Sequence, residues 1–113
     1  MMSSIDWVTK YIEILDRIEE HMLELELWSE SHPGHHKLQS SMPFCVDTLQ
    51  LEEWIQFVFL PKMREYVEEE QLPPGPAQIT PIAEETYKDQ PELRSLIELL
   101  RKFDEISHLS HLH

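Results

Sequence analysis

Trp54, Ile55, Gln56, Phe57, Val58, Phe59 and Leu60 place six apolar side chains around one polar one, and Pro61 follows immediately. Wound into an α-helix, this run covers most of the helix circumference with apolar surface, the mark of a helix set centrally in a core. Met63, Tyr66 and Val67 carry the apolar spacing past the proline. Proline has no amide to bond the carbonyl of Phe57, and its ring crowds that carbonyl, so the spacing predicts a kink and not an end. The helix starts between Asp47 and Leu51, with Asp47 or Thr48 as its cap. It closes in Glu68, Glu69 and Glu70, whose charges oppose the local dipole.

Other helices are expected around this one. Ile5, Val8, Ile12, Leu15, Ile18, Met22 and Leu25 recur at steps of three or four within a first helix from Ile5 to Trp28. Ser4 is its expected N-cap, Asp6 lies in its first turn, and Trp7, Ile14, Leu23 and Leu27 widen its stripe. Residues 29–41 hold Pro33-Gly34 and three histidines, and read as a His-rich loop. Pro73, Pro74, Gly75 and Pro76 make the stretch from Leu72 to Ile79 an extended, stiff linker. A short third helix is predicted from an N-cap at Thr80, with Pro81 at its first position and Glu84 nearby, to about Lys88. Asp89 caps a fourth helix, with Pro91 and Glu92 in its first turn and Glu92 at the capping-box position. Leu93, Leu96, Ile97, Leu100 and Phe103 are its buried face, and residues 107–113 fray. Two glycines against eight prolines argue against strand hairpins, and 113 residues suit a single domain over 1–113. The expected class is all-α.

Charge narrows the partners. Twenty-two acidic and nine basic side chains give a net charge of −13, which repels phosphate backbones and disfavours direct contact with nucleic acid. A basic protein partner fits better. The single cysteine, Cys45, excludes an internal disulfide and agrees with a reducing compartment. Flanked by Phe44 and Val46, it reads as a small buried hydrophobe. No segment has the pattern of a signal peptide or the length of a membrane span, so a cytoplasmic, membrane-free location is expected.

Candidate chemistry is sparse. The seven histidines include His32, His35 and His36 in the loop and His108, His111 and His113 at the tail. His108 and His111 have helical i, i+3 spacing, and Glu105 with His108 makes one E-x-x-H pair. Di-iron bundles need two such pairs and further glutamates, so these histidines read as surface residues and no metal or cofactor is assigned. Asp47, Glu52 and Glu53 read as caps and surface charge, and no catalytic constellation is recognised. An alternative is a small-molecule- or metal-binding helical domain with a pocket lined by Asp47, Gln56 and Glu84. The aromatic cluster Trp54, Phe57 and Phe59 is either core or, if one face stays outside, the anchor of an interface.

The run Met42-Pro43-Phe44-Cys45-Val46-Asp47-Thr48, then Glu53-Trp54-Ile55-Gln56 and Leu60-Pro61-Lys62-Met63, resembles the bacterial YqcC-like family. Its pattern is roughly P-F-x-x-D-T, E-W-[LI]-Q and [IL]-P-[RK]-M. Leu72-Pro73, the Pro81-x-x-Glu84 start of the third helix and Trp28 extend the likeness, whereas the histidine groups lie outside it. The resemblance implies a closed up-and-down four-helix bundle. It implies no activity, but family members sit beside, or joined to, a tRNA pseudouridine synthase of the C type, which suggests an accessory role. The sequence therefore points to a non-enzymatic interaction module. Its candidate binding residues are Asp47, Thr48, Trp54, Gln56, Phe57, Pro61 and Met63, and its oligomeric state is left open.

Overall fold

A computed structural model describes residues 6–73, 75 and 77–111, and every regular element among them is helical. The expected cap Ser4, the expected start at Ile5, Pro74 and Pro76 of the linker, and His113 lie outside the described residues. None of the described helices is long and apolar enough to cross a membrane.

Helix α1 is Trp7–Glu24. Asp6 is its N-cap, not a first-turn residue: its carboxylate accepts from the Thr9 amide at 3.1 Å and the Thr9 hydroxyl at 2.6 Å. These bonds, side chain first and then backbone, hold the Asp6 carboxyl below its ordinary value. The cap therefore stabilises the helix above the ordinary carboxylate value, and this is lost as pH falls from there through the lowered one. Tyr11, Ile14, Leu15, Ile18 and Met22 are buried, while Ile12 and Leu23 are exposed. The stripe is thus turned from the expected one, because the Tyr11 hydroxyl finds a buried partner in Ser110 Oγ at 2.8 Å. The helix also stops four residues short of Trp28. Glu26 takes φ 60°, and the amides of Glu26 and Leu27 return to the carbonyls of Leu23 and Met22. This is a Schellman ending, with glutamate where glycine is usual.

The His-rich loop contains one helical turn, α2, His35–Leu38. A 3₁₀ turn follows at Pro43–Cys45. Helix α3 then runs unbroken over residues 51–68, as an α turn Leu51–Trp54, a π segment Ile55–Phe59 and an α segment Leu60–Glu68. It continues past Pro61 as the spacing predicts. The disturbance takes the form of a π turn just before the proline, in which the Leu60 amide reaches back five residues to the Ile55 carbonyl. Asp47 and Thr48 are not its caps. Gln50 is, and its amide donates to Glu53 Oε1 at 2.9 Å. The C-terminus repeats the device of α1, with Glu70 at φ 57° and Gln71 N bonded to the Tyr66 carbonyl at 2.8 Å.

Helix α4 is Thr80–Thr86 and stops before Lys88. Its N-cap position is Ile79, one residue earlier than expected, and Pro81 shifts to the second helical position. Its first amides are capped from another helix. The Asp104 carboxylate accepts from Ile79 N at 3.0 Å, Thr80 N at 2.7 Å and the Thr80 hydroxyl at 2.6 Å. Tyr87, buried just beyond, donates its hydroxyl to Glu52 at 2.9 Å. Burial, then the Glu52 charge, push that phenol far above its ordinary value.

Helix α5 is Arg94–Ser110, entered through a 3₁₀ turn at Pro91–Leu93. The expected cap at Asp89 does not form, because Gln90 precedes the 3₁₀ turn and Leu93 the helix. Its expected buried face is observed, and Ser107 and Ser110 extend it. The tail is therefore ordered through Ser110, where fraying was expected. Ser107 Oγ accepts from Ala77 N at 2.9 Å, so the proline linker is tied to α5 and Pro73 is fully buried. Contacts between α1 and α5 organise the core, Arg64 of α3 pairs with Asp16 and Glu19 of α1, and α4 packs on α5.

Replacing either left-handed glutamate, Glu26→Gly or Glu70→Gly, should raise stability by about 0.5–1 kcal/mol, because glycine adopts positive φ without a Cβ clash. A urea midpoint that stays level or falls would contradict this. Asp104→Ala should cost about 1–3 kcal/mol, since two amides and a hydroxyl lose one charged acceptor; thermal denaturation reads it directly.

Candidate functional site

Residues 40–49 form a tightly bonded corner ahead of α3. The Thr48 hydroxyl donates to the Lys37 carbonyl at 2.6 Å, and the Ser40 hydroxyl donates to Asp47. Met42 N donates to Ser40 Oγ at 3.0 Å, and Leu49 N to the Cys45 carbonyl at 2.8 Å. Cys45 is buried, with its thiol 3.8 Å from the Leu38 carbonyl. Inside this corner Phe44 and Cys45 take φ 58° and 50°, two adjacent non-glycine residues in the left-handed region. Such a pair persists only where surrounding bonds over-determine it. Asp47 and Thr48 belong to those bonds.

The turn aims Phe44 at α3. Its ring meets Trp54 edge-on with centroids 4.9 Å apart, and Trp54 stacks on Phe59 at 5.5 Å with planes 28° apart. Phe59 meets Phe103 of α5 at 4.8 Å, and Phe103 meets Tyr11 of α1 at 5.6 Å. A row of rings thus crosses the protein from the surface turn to the core. Trp54 and Phe59 are five residues apart, which on an ideal α-helix points them about 140° away from each other. The π segment closes that gap, since i and i+5 become neighbours where the backbone bonds i to i+5.

Helix α3 is not enclosed on every side. Ile55, Phe59 and Leu60 face the core, while Trp54, Phe57, Val58 and Met63 are half-buried. Phe57 is covered by the His32 ring at 5.1 Å. Trp54, Val58 and Met63 line a groove of about 210 Å³ with Phe44, Gln78 and Lys62. A second cavity of about 170 Å³ also has Phe44 in its lining, with Val46, Leu49, Gln50, Leu51, Ile82 and Thr86. Among the described residues no carboxylate lines either one. Two larger grooves of about 480 and 350 Å³ lie along α5 and carry charged groups of both signs, with Glu98 common to both.

Of the sequence candidates, Trp54 and Met63 come together in the apolar groove, and Pro61 is exposed beside it. Gln56 does something else. It is buried and holds both backbone groups of Ser29, accepting from Ser29 N and donating to the Ser29 carbonyl, each at 2.8 Å. It ties the segment that follows α1 to α3. Glu84 pairs with Arg101 at 3.2 Å, and Asp47 with Ser40, so Asp47, Gln56 and Glu84 each serve a different local bond. His32 Nδ1 accepts from Gly34 N at 2.9 Å, and its ring lies 5.4 Å from that of His35. His36 and His108 are exposed, and His111 is 3.2 Å from Ser110 Oγ. Among the described residues no three His, Cys, Asp or Glu side chains converge as a metal site. Sequence reasoning missed Phe44, Val46, Leu49, Val58 and Ile82 as groove residues.

The family model DUF446, described as tRNA pseudouridine synthase C, matches residues 10–106, and the chain belongs to this family. An uncharacterised protein of Haemophilus influenzae is 34% identical over 92 residues, covering 81% of this chain and 87% of that protein. The uncharacterised protein YqcC of Escherichia coli is 30% identical over 91 residues, covering 80% of this chain and 84% of that one. The solution NMR structure of Escherichia coli YqcC superposes with a TM-score of 0.80 at 26% identity, over 91% of this chain and 89% of that one. A tRNA pseudouridine synthase C of Pectobacterium carotovorum is 38% identical over 53 residues, which is 47% of this chain but 14% of the synthase.

Gln56→Leu should cost about 1–3 kcal/mol despite being more apolar, because the Ser29 amide and carbonyl lose their partners. Equal or greater stability in urea denaturation would show that water replaces the glutamine.

Proposed function

We propose that this chain is a non-enzymatic docking module that serves a C-type tRNA pseudouridine synthase in the cytoplasm. The observation that carries the reading is the apolar surface around Phe44, Trp54 and Val58. In a chain with 22 acidic side chains and a net charge of −13, no carboxylate among the described residues lines its two cavities. Exposed apolar surface of this kind costs solubility and is retained where a partner covers it. We read the helices that carry it as an up-and-down four-helix bundle, closed on its fourth side by α4 and the Asp104 cap. The acidic remainder suits a basic enzyme surface and would speed encounter with it. The partial similarity to the Pectobacterium tRNA pseudouridine synthase C, 38% identity over 53 residues, supports the choice of enzyme.

The test is retention of the purified synthase from the same cell by the immobilised full chain, across a range of salt concentrations. Retention at moderate salt is expected, with a loss of about tenfold or more in affinity for Trp54→Ala, as for an interface anchor. Absence of association at every salt concentration would overturn the reading.

A further inference from the structure

We propose that the groove between α1 and α5 is a binding site for a compact phosphomonoester with an apolar body. None of its lining residues borders either apolar cavity, so the site is separate from the docking surface and does not rest on that reading.

The two helices run antiparallel. Tyr11 near the start of α1 meets Ser110 at the end of α5, and His21 near the end of α1 meets Ser95 at the start of α5. Along this seam one stripe of each helix borders an open groove of about 480 Å³. That volume falls within the roughly 300–1,000 Å³ of pockets that hold small organic ligands. Ile14, which is buried, and Leu99 and Ile106, which are half-buried, supply its apolar lining. Apolar lining with a few charged groups is the composition of such pockets.

Charge identifies the head group. Acidic side chains outnumber basic ones 22 to nine, so a cation without a carboxylate partner is unexpected in this chain. Arg64, Lys88 and Arg101 have such partners. Lys10, Arg17 and Lys102 make no ion pair among the described residues, and all three border this groove. Of its two carboxylates Glu98 is engaged by Arg101 at 3.4 Å, which leaves Glu13 against three cations. The surplus of two positive charges matches a phosphomonoester, which carries about −1.5 to −2 at neutral pH. A carboxylate would neutralise half of it.

Screening selects a compact anion over a long one. The Debye length is about 8 Å at physiological ionic strength, whereas the molecule is 46 Å in its longest dimension. A ligand held within the groove therefore meets chiefly the charges that border it. A nucleic acid would lay further phosphates over a chain whose net charge is −13.

The experiment titrates the full chain, ¹⁵N-labelled, with phenyl phosphate and follows the amide shifts. Benzoate, inorganic phosphate and a short RNA duplex are the comparison ligands. Phenyl phosphate should give saturable shifts confined to the amides around Lys10, Ile14, Arg17, Leu99, Lys102 and Ile106. It should bind about tenfold more tightly than benzoate, which has one charge fewer, or inorganic phosphate, which has no apolar body. Arg17→Gln and Lys102→Gln, both at exposed positions, should each lose about tenfold in affinity with the melting temperature unchanged. Glu13→Gln should bind about twofold or more tightly, because it removes the unpaired carboxylate; a seam of charges that serves the fold alone would show no such gain. The absence of saturable shifts, or equal binding of benzoate, would overturn the proposal. So would equal binding of inorganic phosphate, tighter binding of the RNA duplex at the same amides, or undiminished binding by Arg17→Gln.

Discussion

Pro61 in the middle of the most apolar helix is the constraint on which the rest of this structure depends. An α-helix cannot pass through a proline unchanged, since an amide is missing and the ring strikes the carbonyl a turn earlier. The helix answers with a π turn over Ile55–Phe59 and goes on to Glu68. The consequence lies in the side chains. Trp54 and Phe59 come onto one face and stack, Phe59 reaches Phe103, and Phe44 from the preceding corner closes on Trp54. A backbone irregularity forced by one residue thus links a surface turn to the core.

Charge is distributed with equal consequence. Carboxylates occupy structural posts across the chain: Asp6 and Asp104 cap helices, Glu53 bonds the amide of Gln50, and Glu52 receives the Tyr87 hydroxyl. Asp16 and Glu19 share Arg64. Among the described residues no carboxylate lines the two cavities that share Phe44. A contact surface needs that segregation, because a charge left unpaired in a desolvated interface costs several kcal/mol (on the order of 2–5).

Much of the fold was legible. The apolar spacing of α5 placed its buried face, and the continuation of α3 beyond Pro61 followed from Met63, Tyr66 and Val67. Local caps misled. Ser4, Thr48, Thr80 and Asp89 are good capping residues by type, yet the structure uses Asp6, Gln50 and, for α4, a carboxylate from α5. Capping propensity is a local preference that a tertiary acceptor at 2.7 Å overrides. The tail was misjudged in the same way, because the partners of Ser107 and Ser110 lie 30 and 99 residues away along the chain.

By itself, the sequence determined the all-helical class, the family, the acidic exterior and the disturbance at Pro61, because each follows from residue type and spacing along one stretch of chain. The tertiary structure alone decided which face of the apolar helix remains outside, that Gln56 is a tie to Ser29 and not part of a pocket, and that Phe44 lines two cavities. Periodicity records that a helix is apolar all round, but it cannot say which side its neighbours leave bare. The helix that reads as the centre of the bundle is therefore also the wall of its candidate contact surface.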